Sequence, residues 1–308
     1  MPGTPAALLP YAPAELDGLP SGLPVHLWDG TGAPPPQEVL DTVGFFALPY
    51  MRTAAALPLL PRMPGLQVVQ TLTAGVDDVR PHLPSGVQLC NARGVHDAST
   101  AELVLALILA SLRDIPGFVR GQDAEQWRSG FYPALADRTV LLVGYGSIGS
   151  AVEDRLVPFE CRVHRVARSA RRAPRGPVHP LSQLPELLPQ ADVVVLVVPL
   201  TEQTRGLAGK EFLSRMKDGA LLVNVARGPV VDTAALLEEL GSGRLTAALD
   251  VTDPEPLPPG HPLWHAPGVL ISPHVGGSSS AFRPRALRLL AAQLRRYAAG
   301  EPLEHRMV

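Results

Sequence analysis

Gly144-Tyr145-Gly146-Ser147-Ile148-Gly149 follows the unbroken apolar run Thr139–Val143 and leads into a helical pattern. In such a strand-to-helix turn the first glycine permits the tight bend, the second lets backbone approach a pyrophosphate, and the third lets helix and strand pack closely. The bound anion would sit at the helix N-terminus, where free N–H groups and the helix dipole favour negative charge. A second apolar run, CRVHRV, completes a βαβ unit and ends roughly 20 residues past the glycines, where NAD-selective folds place an acid on the ribose 2′-hydroxyl. Here the chain instead reads Ala167-Arg168-Ser169, followed by Arg171 and Arg172. Guanidinium groups bind phosphate through paired charge-assisted bonds. The spacing therefore predicts NADP(H) as the preferred dinucleotide, with Arg168 the leading contact to a 2′-phosphate and Ser169 the second; NAD(H) remains possible.

Three further segments place polar groups at the ends of apolar runs: NVARGPVVD (224–232), ALDVTDPEPL (248–257) and ISPHVGG (271–277). Ligands of doubly wound sheets bind at such carboxyl ends. The elements that must position them are continuous apolar strands without polar alternation: TVLLVG, CRVHRV, DVVVLVV, ALLVNV, LTAALDV and VLISP. Strands of that texture belong in a parallel sheet covered on both faces. A long helix is expected from Asp97, with Ser99 and Glu102 as its capping box ahead of the run Leu103–Leu112. Upstream, VHLW, GFFAL, LQVVQTL and VQLCN alternate with Pro- and Gly-rich turns and read as a smaller α/β layer. The first 24 residues, rich in Pro, Ala and Gly, are expected to form a loosely ordered arm, and Ser279–Ala299 a closing amphipathic helix that stops at Gly300.

A chain of 308 residues suggests two domains. With 46% hydrophobic and 18% charged residues it has ample apolar surface for packed cores. Its formal net charge of -2 offers no broad field for a polyanion or an anionic membrane, so neither nucleic acid nor lipid is an expected partner. Cys90 and Cys161 are too few for a disulfide framework and lack the spacing of a metal site. They are expected to fill cores in a reducing, cytoplasmic setting. The N-terminus shows no export pattern, and the longest apolar run, Leu103–Ala110, falls well short of the ~20 residues needed to cross a bilayer.

Taken with TLTAGVDDV (71–79), the motifs GYGSIG, NVARG, DPEP and SPHVGG, in that order along the chain, resemble the D-isomer-specific 2-hydroxyacid dehydrogenase family. The resemblance implies a hydride-transferring oxidoreductase acting on a small 2-oxo or 2-hydroxy acid such as glyoxylate or hydroxypyruvate. It implies a doubly wound dinucleotide-binding domain over 97–278 and a smaller, flavodoxin-like substrate domain from 1–96 and 279–308, with the active site in the cleft between them. It assigns the substrate carboxylate and carbonyl to Arg227, acid–base work to His274, and the carboxylate partner of that histidine to Glu255. The chemistry suits these residue types. An arginine fork meets a carboxylate with two bonds while polarising the neighbouring oxygen, and a histidine with an ordinary pKa of about 6.5 can trade a proton near neutrality.

The resemblance further implies that Thr73, Ala74, Gly75 and Val76 grip the substrate carboxylate, with Gly75 and Val76 as backbone donors. Tyr50 borders the pocket where many relatives carry an Arg-Ser pair. Thr100 and Asp250 are implied at the nicotinamide. Val198, Pro199 and Thr204 are implied under the adenosine, and Ala226 and Gly276 also line the dinucleotide site. Asp232 reads as a helix cap. Trp127 lies where related reductases extend a dimerisation arm, which implies a homodimer, although a buried core tryptophan fits the sequence as well. A dinucleotide-binding corepressor and a dehydrogenase of formate or phosphonate are alternatives that the sequence leaves open.

Overall fold

The computed structural model describes residues 5–307. The chain divides into two compact units, Met1–His96 with Ser280–Val308, and Asp97–Ser279.

The first unit is built on a five-stranded parallel sheet of order β2-β1-β3-β4-β5. Its strands are β1 (Ala6–Leu9), β2 (Val25–Leu27), β3 (Val43–Ala47), β4 (Val68–Gln70) and β5 (Gln88–Cys90). Two short helices, α1 (Gln37–Leu40) and α2 (Thr53–Ala56), lie between strands. Successive residues of the central strands point to opposite faces. Ala7, Leu9, Phe45 and Ala47 join one apolar cluster with the closing helix, whereas Leu8, Phe46 and Leu48 join the other.

β1 corrects the expectation of a loose N-terminal arm. Ala6–Leu9 are at most 2% exposed, and β1 pairs in parallel with both β2 and β3. Four apolar residues between prolines carry too short a pattern to be read as a strand, yet burial on both faces and pairing on both edges make them central. Each fully buried leucine here contributes about 1.5–3 kcal/mol of hydrophobic transfer free energy.

The second unit carries an eight-stranded sheet of order β13-β12-β11-β10-β6-β7-β9-β8. Its strands are β6 (Thr139–Val143), β7 (Arg162–Ala167), β8 (Arg171–Ala173), β9 (Gly176–Pro180), β10 (Val193–Leu196), β11 (Leu221–Asn224), β12 (Thr246–Leu249) and β13 (Val269–Ile271). All pairs are parallel except β8 with β9. Leu141, Val143, Val194 and Leu196 face one core, and Val140, Leu142, Val193 and Val195 the other. Two buried faces explain why these strands show no polar alternation.

The helices of this unit are α3 (Asp97–Leu112), α4 (Ile115–Asp123), α5 (Ser147–Leu156), α6 (Leu184–Leu187), α7 (Lys210–Arg215) and α8 (Thr233–Gly241). The last helix of the first unit, α9 (Phe282–Ala299), starts three residues later than the sequence pattern suggests and ends at Gly300, whose φ of 68° suits the left-handed C-cap. No helix among the described residues is long and apolar enough to cross a membrane.

α3 begins at Asp97 as expected, but not through the expected capping box. Ser99 and Glu102 both lie inside the helix. The Ser99 hydroxyl donates to the Gly276 carbonyl at 2.6 Å, and Glu102 reaches Arg155. A tertiary acceptor has taken the hydroxyl that local geometry would have used at a helix end.

Candidate active site

Strand order reverses at β6, which lies between β10 and β7. Crevices at such switch points, outside the carboxyl ends of the strands, receive ligands in doubly wound sheets. The glycine motif begins at this end of β6. Gly144 adopts φ 110°, and a Cβ there would meet the Val197 carbonyl oxygen at 2.5 Å. At Gly149 a Cβ would collide with the Gly144 carbonyl, whereas Gly146 has nothing within 4 Å. Two glycines are thus required by packing, and the middle one leaves open space for a pyrophosphate. Gly146 is the N-cap of α5 and supplies no side-chain cap, so the first-turn N–H groups of that helix are not closed off by a capping side chain. Tyr145 is buried; Ser147 donates its hydroxyl to the Asp97 carboxylate, and Ile148 packs against the α3–α5 core.

At the end of β7, Arg168 and Ser169 are exposed, and Arg168 makes no hydrogen bond or ion pair among the described residues. Arg171 is committed elsewhere: in β8, it donates to the Tyr145 carbonyl. Across the switch point, the loop after β10 is fastened by Thr204. Its hydroxyl donates to the Pro199 carbonyl at 2.6 Å and accepts from the Thr201 N–H at 2.8 Å. Val198 is buried and Pro199 exposed on this loop. These residues fit a dinucleotide: open backbone at the turn, unsatisfied donors at a helix end, and a free guanidinium at the end of the second strand.

Arg227, Glu255 and His274 come from the loops after β11, β12 and β13. His274 Nδ1 lies 2.5 Å from Glu255 Oε1, which leaves Nε2 as the other ring nitrogen; Nε2 has no partner among the described residues. The two side chains are about one-third exposed, 33% and 38%. The hydrogen bond that Nδ1–H donates to Glu255 raises the His274 pKa above its ordinary value, and the Glu255 charge adds to it, against burial and the nearby Arg227 charge. Burial is the largest single influence on Glu255 and pushes its carboxyl up, but the His274 bond and charge, with Thr252 backbone and Arg227, hold it below the ordinary value. The arrangement favours an imidazolium whose free Nε2–H is the available proton. His274 holds φ 51°, a left-handed conformation that is uncommon for a non-glycine residue.

Asp250 explains how that conformation is held. This carboxylate is 3% exposed. Oδ1 accepts from the Ser272 hydroxyl at 2.7 Å and the Val275 N–H at 2.9 Å, and Oδ2 accepts from the Gly276 N–H at 2.9 Å. The His274 N–H donates to the Asp250 carbonyl at 2.8 Å. Asp250 therefore clamps the histidine loop. Gly276 must lack a side chain, since a Cβ would lie 2.9 Å from Asp250 Oδ2, and its carbonyl accepts from Ser99 and, at 3.2 Å, from Thr100. Thr100, placed by the resemblance at the nicotinamide, is buried against this loop.

Two positions that the sequence reading passed over set Arg227. Asn224, at the end of β11, accepts from the Ala226 N–H and donates to the Arg227 carbonyl, both at 3.0 Å, closing the turn that carries the arginine. Arg227 Nη1 donates to the buried Ala226 carbonyl at 2.8 Å. A Cβ on Gly228 would overlap the Thr252 carbonyl, so only glycine lets the arginine loop lie against the loop that bears Glu255. An Asn two residues before Ala226 and a Gly directly after the arginine were the available signals. Asp232 is a cap, accepting from Ala234 and Ala235.

The first unit holds its own sequence-flagged residues on the loop after β4. Thr73 donates to the Gly75 carbonyl at 2.8 Å, and the Asn91 amide donates to the Ala74 carbonyl at 2.7 Å. This leaves the N–H groups of Gly75 and of the buried Val76 without acceptors among the described residues. Half-buried Tyr50 stacks on Phe282 with ring centroids 4.0 Å apart, and His96 continues the stack. Cys90 is fully buried, and burial pushes its thiol up to about 11. Cys161 is partly buried against the α3–α5 core. Trp127 is 97% exposed, which excludes the buried reading of that residue in this chain. Among the described residues no group of three or more His, Cys, Asp or Glu could hold a metal ion.

The doubly wound sheet, the glycine turn and the Arg–Glu–His loops define a nicotinamide-dinucleotide-binding oxidoreductase. Residues 105–276 match the model of the D-isomer specific 2-hydroxyacid dehydrogenase NAD-binding domain. A glyoxylate reductase of Aeropyrum pernix is 34% identical over 94% of this chain and 91% of its own length. Among solved structures, a D-isomer specific 2-hydroxyacid dehydrogenase from Xanthobacter autotrophicus Py2, in complex with NADPH and MES, superposes with a TM-score of 0.82 at 30% identity, covering 99% of this chain and 98% of that one. An NADPH-dependent glyoxylate/hydroxypyruvate reductase from Sinorhizobium meliloti gives the same TM-score at 28% identity, covering 99% and 98%. The chain belongs to the D-isomer-specific 2-hydroxyacid dehydrogenase family and is an NAD(P)-dependent oxidoreductase of 2-hydroxy or 2-oxo acids.

Proposed function

We propose that this enzyme reduces a small 2-oxo acid of the glyoxylate or hydroxypyruvate type with NADPH. The observation that carries the reading is the His274–Glu255 pair, with its one open ring nitrogen and the charge of Arg227 acting on both partners. When bound, the reduced nicotinamide supplies a hydride to the carbonyl carbon. Arg227 holds the substrate carboxylate and polarises the carbonyl; His274 Nε2 gives its proton to the oxygen as negative charge develops there. The product is the 2-hydroxy acid, and His274 is left neutral with Glu255 still on Nδ1. In the other direction the same nitrogen takes the proton back.

Free Arg168 and the absence of an acid after β7 support the choice of NADPH, and the NADPH bound by the Xanthobacter protein and the NADPH dependence of the Sinorhizobium reductase agree with it. The unit containing 1–96 and 280–308 is read as the substrate domain, with the free Gly75 and Val76 N–H groups serving the carboxylate and Tyr50 setting the size of the acid's tail. Trp127 at 97% and Phe131 at 108% exposure are large aromatics with no cover among the described residues, which supports a homodimer. Light scattering on W127A/F131A should give a monomer mass where the parent gives a dimer; a monomeric parent refutes that part. The activity itself is tested by following NADPH oxidation, and NADH oxidation in parallel, with a panel of 2-oxo acids. Steady turnover of glyoxylate or hydroxypyruvate, faster with NADPH, is the expected result. No turnover of any 2-oxo acid with either cofactor would overturn the proposal.

A further inference from the structure

Tyr145, the residue between the first two glycines, is held by four ties, all within the dinucleotide-binding unit. Its N–H, like that of Gly144, donates to the Val166 carbonyl, at 2.9 and 2.8 Å. Its carbonyl accepts from Arg171 in β8. Its hydroxyl donates to Glu153 Oε2 at 2.5 Å. Two guanidinium carbons lie over its ring, Arg165 at 5.9 Å and Arg171 at 6.0 Å from the centroid. Glu153, 1% exposed on α5, is in turn paired with Arg165, 9% exposed on β7, through Arg165 Nε at 2.9 Å and a second bond from Nη2.

A buried carboxylate–guanidinium pair adds little net stability, because the desolvation of both charges offsets their attraction. Its geometry, however, is directional and leaves few alternatives for a third group bonded to it. Here the third group is the side chain of the glycine turn itself. Through Arg171 the same tyrosine is tied to the β8–β9 hairpin that follows Arg168 and Ser169.

We propose that Tyr145, Glu153, Arg165 and Arg171 form a positioning lock that holds the pyrophosphate turn and the Arg168 loop in one fixed relation before the dinucleotide arrives. Tyr145 is the hub, and Glu153 and Arg171 act through it as positioning residues. A preorganised turn loses less freedom when the dinucleotide binds, so the lock acts on affinity and not on the chemical step. The inference rests on the dinucleotide-binding character of the unit and not on NADPH being the preferred form.

The test uses the full-length enzyme and measures NADPH and NADH dissociation constants by isothermal titration calorimetry, beside kcat and thermal melting. Tyr145→Phe keeps the ring and removes the hydroxyl with its bond to Glu153; Arg171→Gln removes the tie to the hairpin. Tyr145→Phe is expected to weaken both dinucleotides by about ten- to a hundredfold, the range for losing one hydrogen bond to a charged group, with their affinity ratio kept and kcat at saturating cofactor within about twofold of the parent. Arg171→Gln is expected to weaken both and NADPH more. If both variants melt earlier yet bind both dinucleotides as the parent does, the network is merely structural and the proposal fails. It also fails if kcat drops at saturating cofactor with affinity unchanged, or if the parent binds neither dinucleotide. A parent that binds NADH as tightly as NADPH defeats only the cofactor preference, and the lock is then judged on Tyr145→Phe alone.

Discussion

Removing the Glu255 carboxylate, as E255Q, tests the site most sharply because the structure fixes both the direction and the limit of the effect. Nδ1 of His274 is taken by Glu255 at 2.5 Å, so all proton transfer passes through Nε2. Loss of the ring, as H274A, removes the whole general acid, a contribution of about 100- to 10,000-fold in turnover. That range corresponds to about 2.7 to 5.4 kcal/mol of transition-state stabilisation at ~1.36 kcal/mol per tenfold.

E255Q keeps the ring and loses the charge that raises its pKa. Carbonyl reduction needs the protonated form, so in the parent the rate falls as pH rises through a histidine limb displaced above the ordinary 6.5. In E255Q that limb should move to lower pH, with a smaller loss of turnover than H274A at acid pH and a loss approaching it at alkaline pH. Because Glu255 acts through His274, the double variant should match H274A and not the product of the two losses. Stability carries the same signature. A raised histidine contributes stability that is complete below its unfolded value and lost as pH rises through the folded one; a lowered carboxylate contributes above its unfolded value and is lost as pH falls. The melting difference between parent and E255Q should therefore be largest between the ordinary values of 4.5 and 6.5, and modest, since both groups are about one-third exposed. The assay is steady-state reduction of glyoxylate across pH 5 to 9, a span of roughly two units either side of neutrality chosen to cover the histidine range. A pH limb that E255Q leaves in place, or near-normal turnover in H274A, would refute the reasoning.

Arg168→Gln should raise KM for NADPH by about 10- to 100-fold, the range for one lost charge-assisted contact, and leave KM for NADH little changed; equal effects on both would remove Arg168 from the 2′-phosphate. Gly228→Ala forces a methyl group into the Thr252 carbonyl. A cost of about 1–3 kcal/mol should lower the melting temperature by roughly 2 to 12 °C and turnover should fall as the Arg227 and Glu255 loops separate. Parent-like melting and turnover would show that the loops can part without consequence. Asn224→Ala should raise KM for the 2-oxo acid more than KM for the dinucleotide, because the turn it closes carries Arg227 and not the glycine motif. A change confined to the dinucleotide would contradict this.

The amino-acid sequence by itself was enough to expose six of the second unit's eight strands, the glycine turn, and the three loops that carry Arg227, Glu255 and His274. Strands buried on both faces must be apolar throughout, and a turn that lets backbone meet phosphate must be glycine, so these features leave residue types at regular spacing. β1 escaped notice because its four residues have no period to display; only pairing with β2 and β3 makes them a strand. The β8–β9 hairpin was hidden for a related reason, since Arg171 and Arg172 look like a solvated basic loop until Arg171 is seen bonded to the Tyr145 carbonyl. Ser99 looked like a cap because local pattern cannot show that the Gly276 carbonyl, 177 residues away, is its acceptor.

The tertiary structure alone decided what each polar group does with its hydrogen-bonding capacity. Asp250 clamps the histidine loop, Glu153 holds the glycine turn, and Arg168 is left free while Arg171 is not. Those outcomes depend on which donors and acceptors meet across distant segments. A carboxylate or guanidinium has the same identity in sequence whether it is spent on a neighbour or left open for a ligand, and only folding chooses between the two.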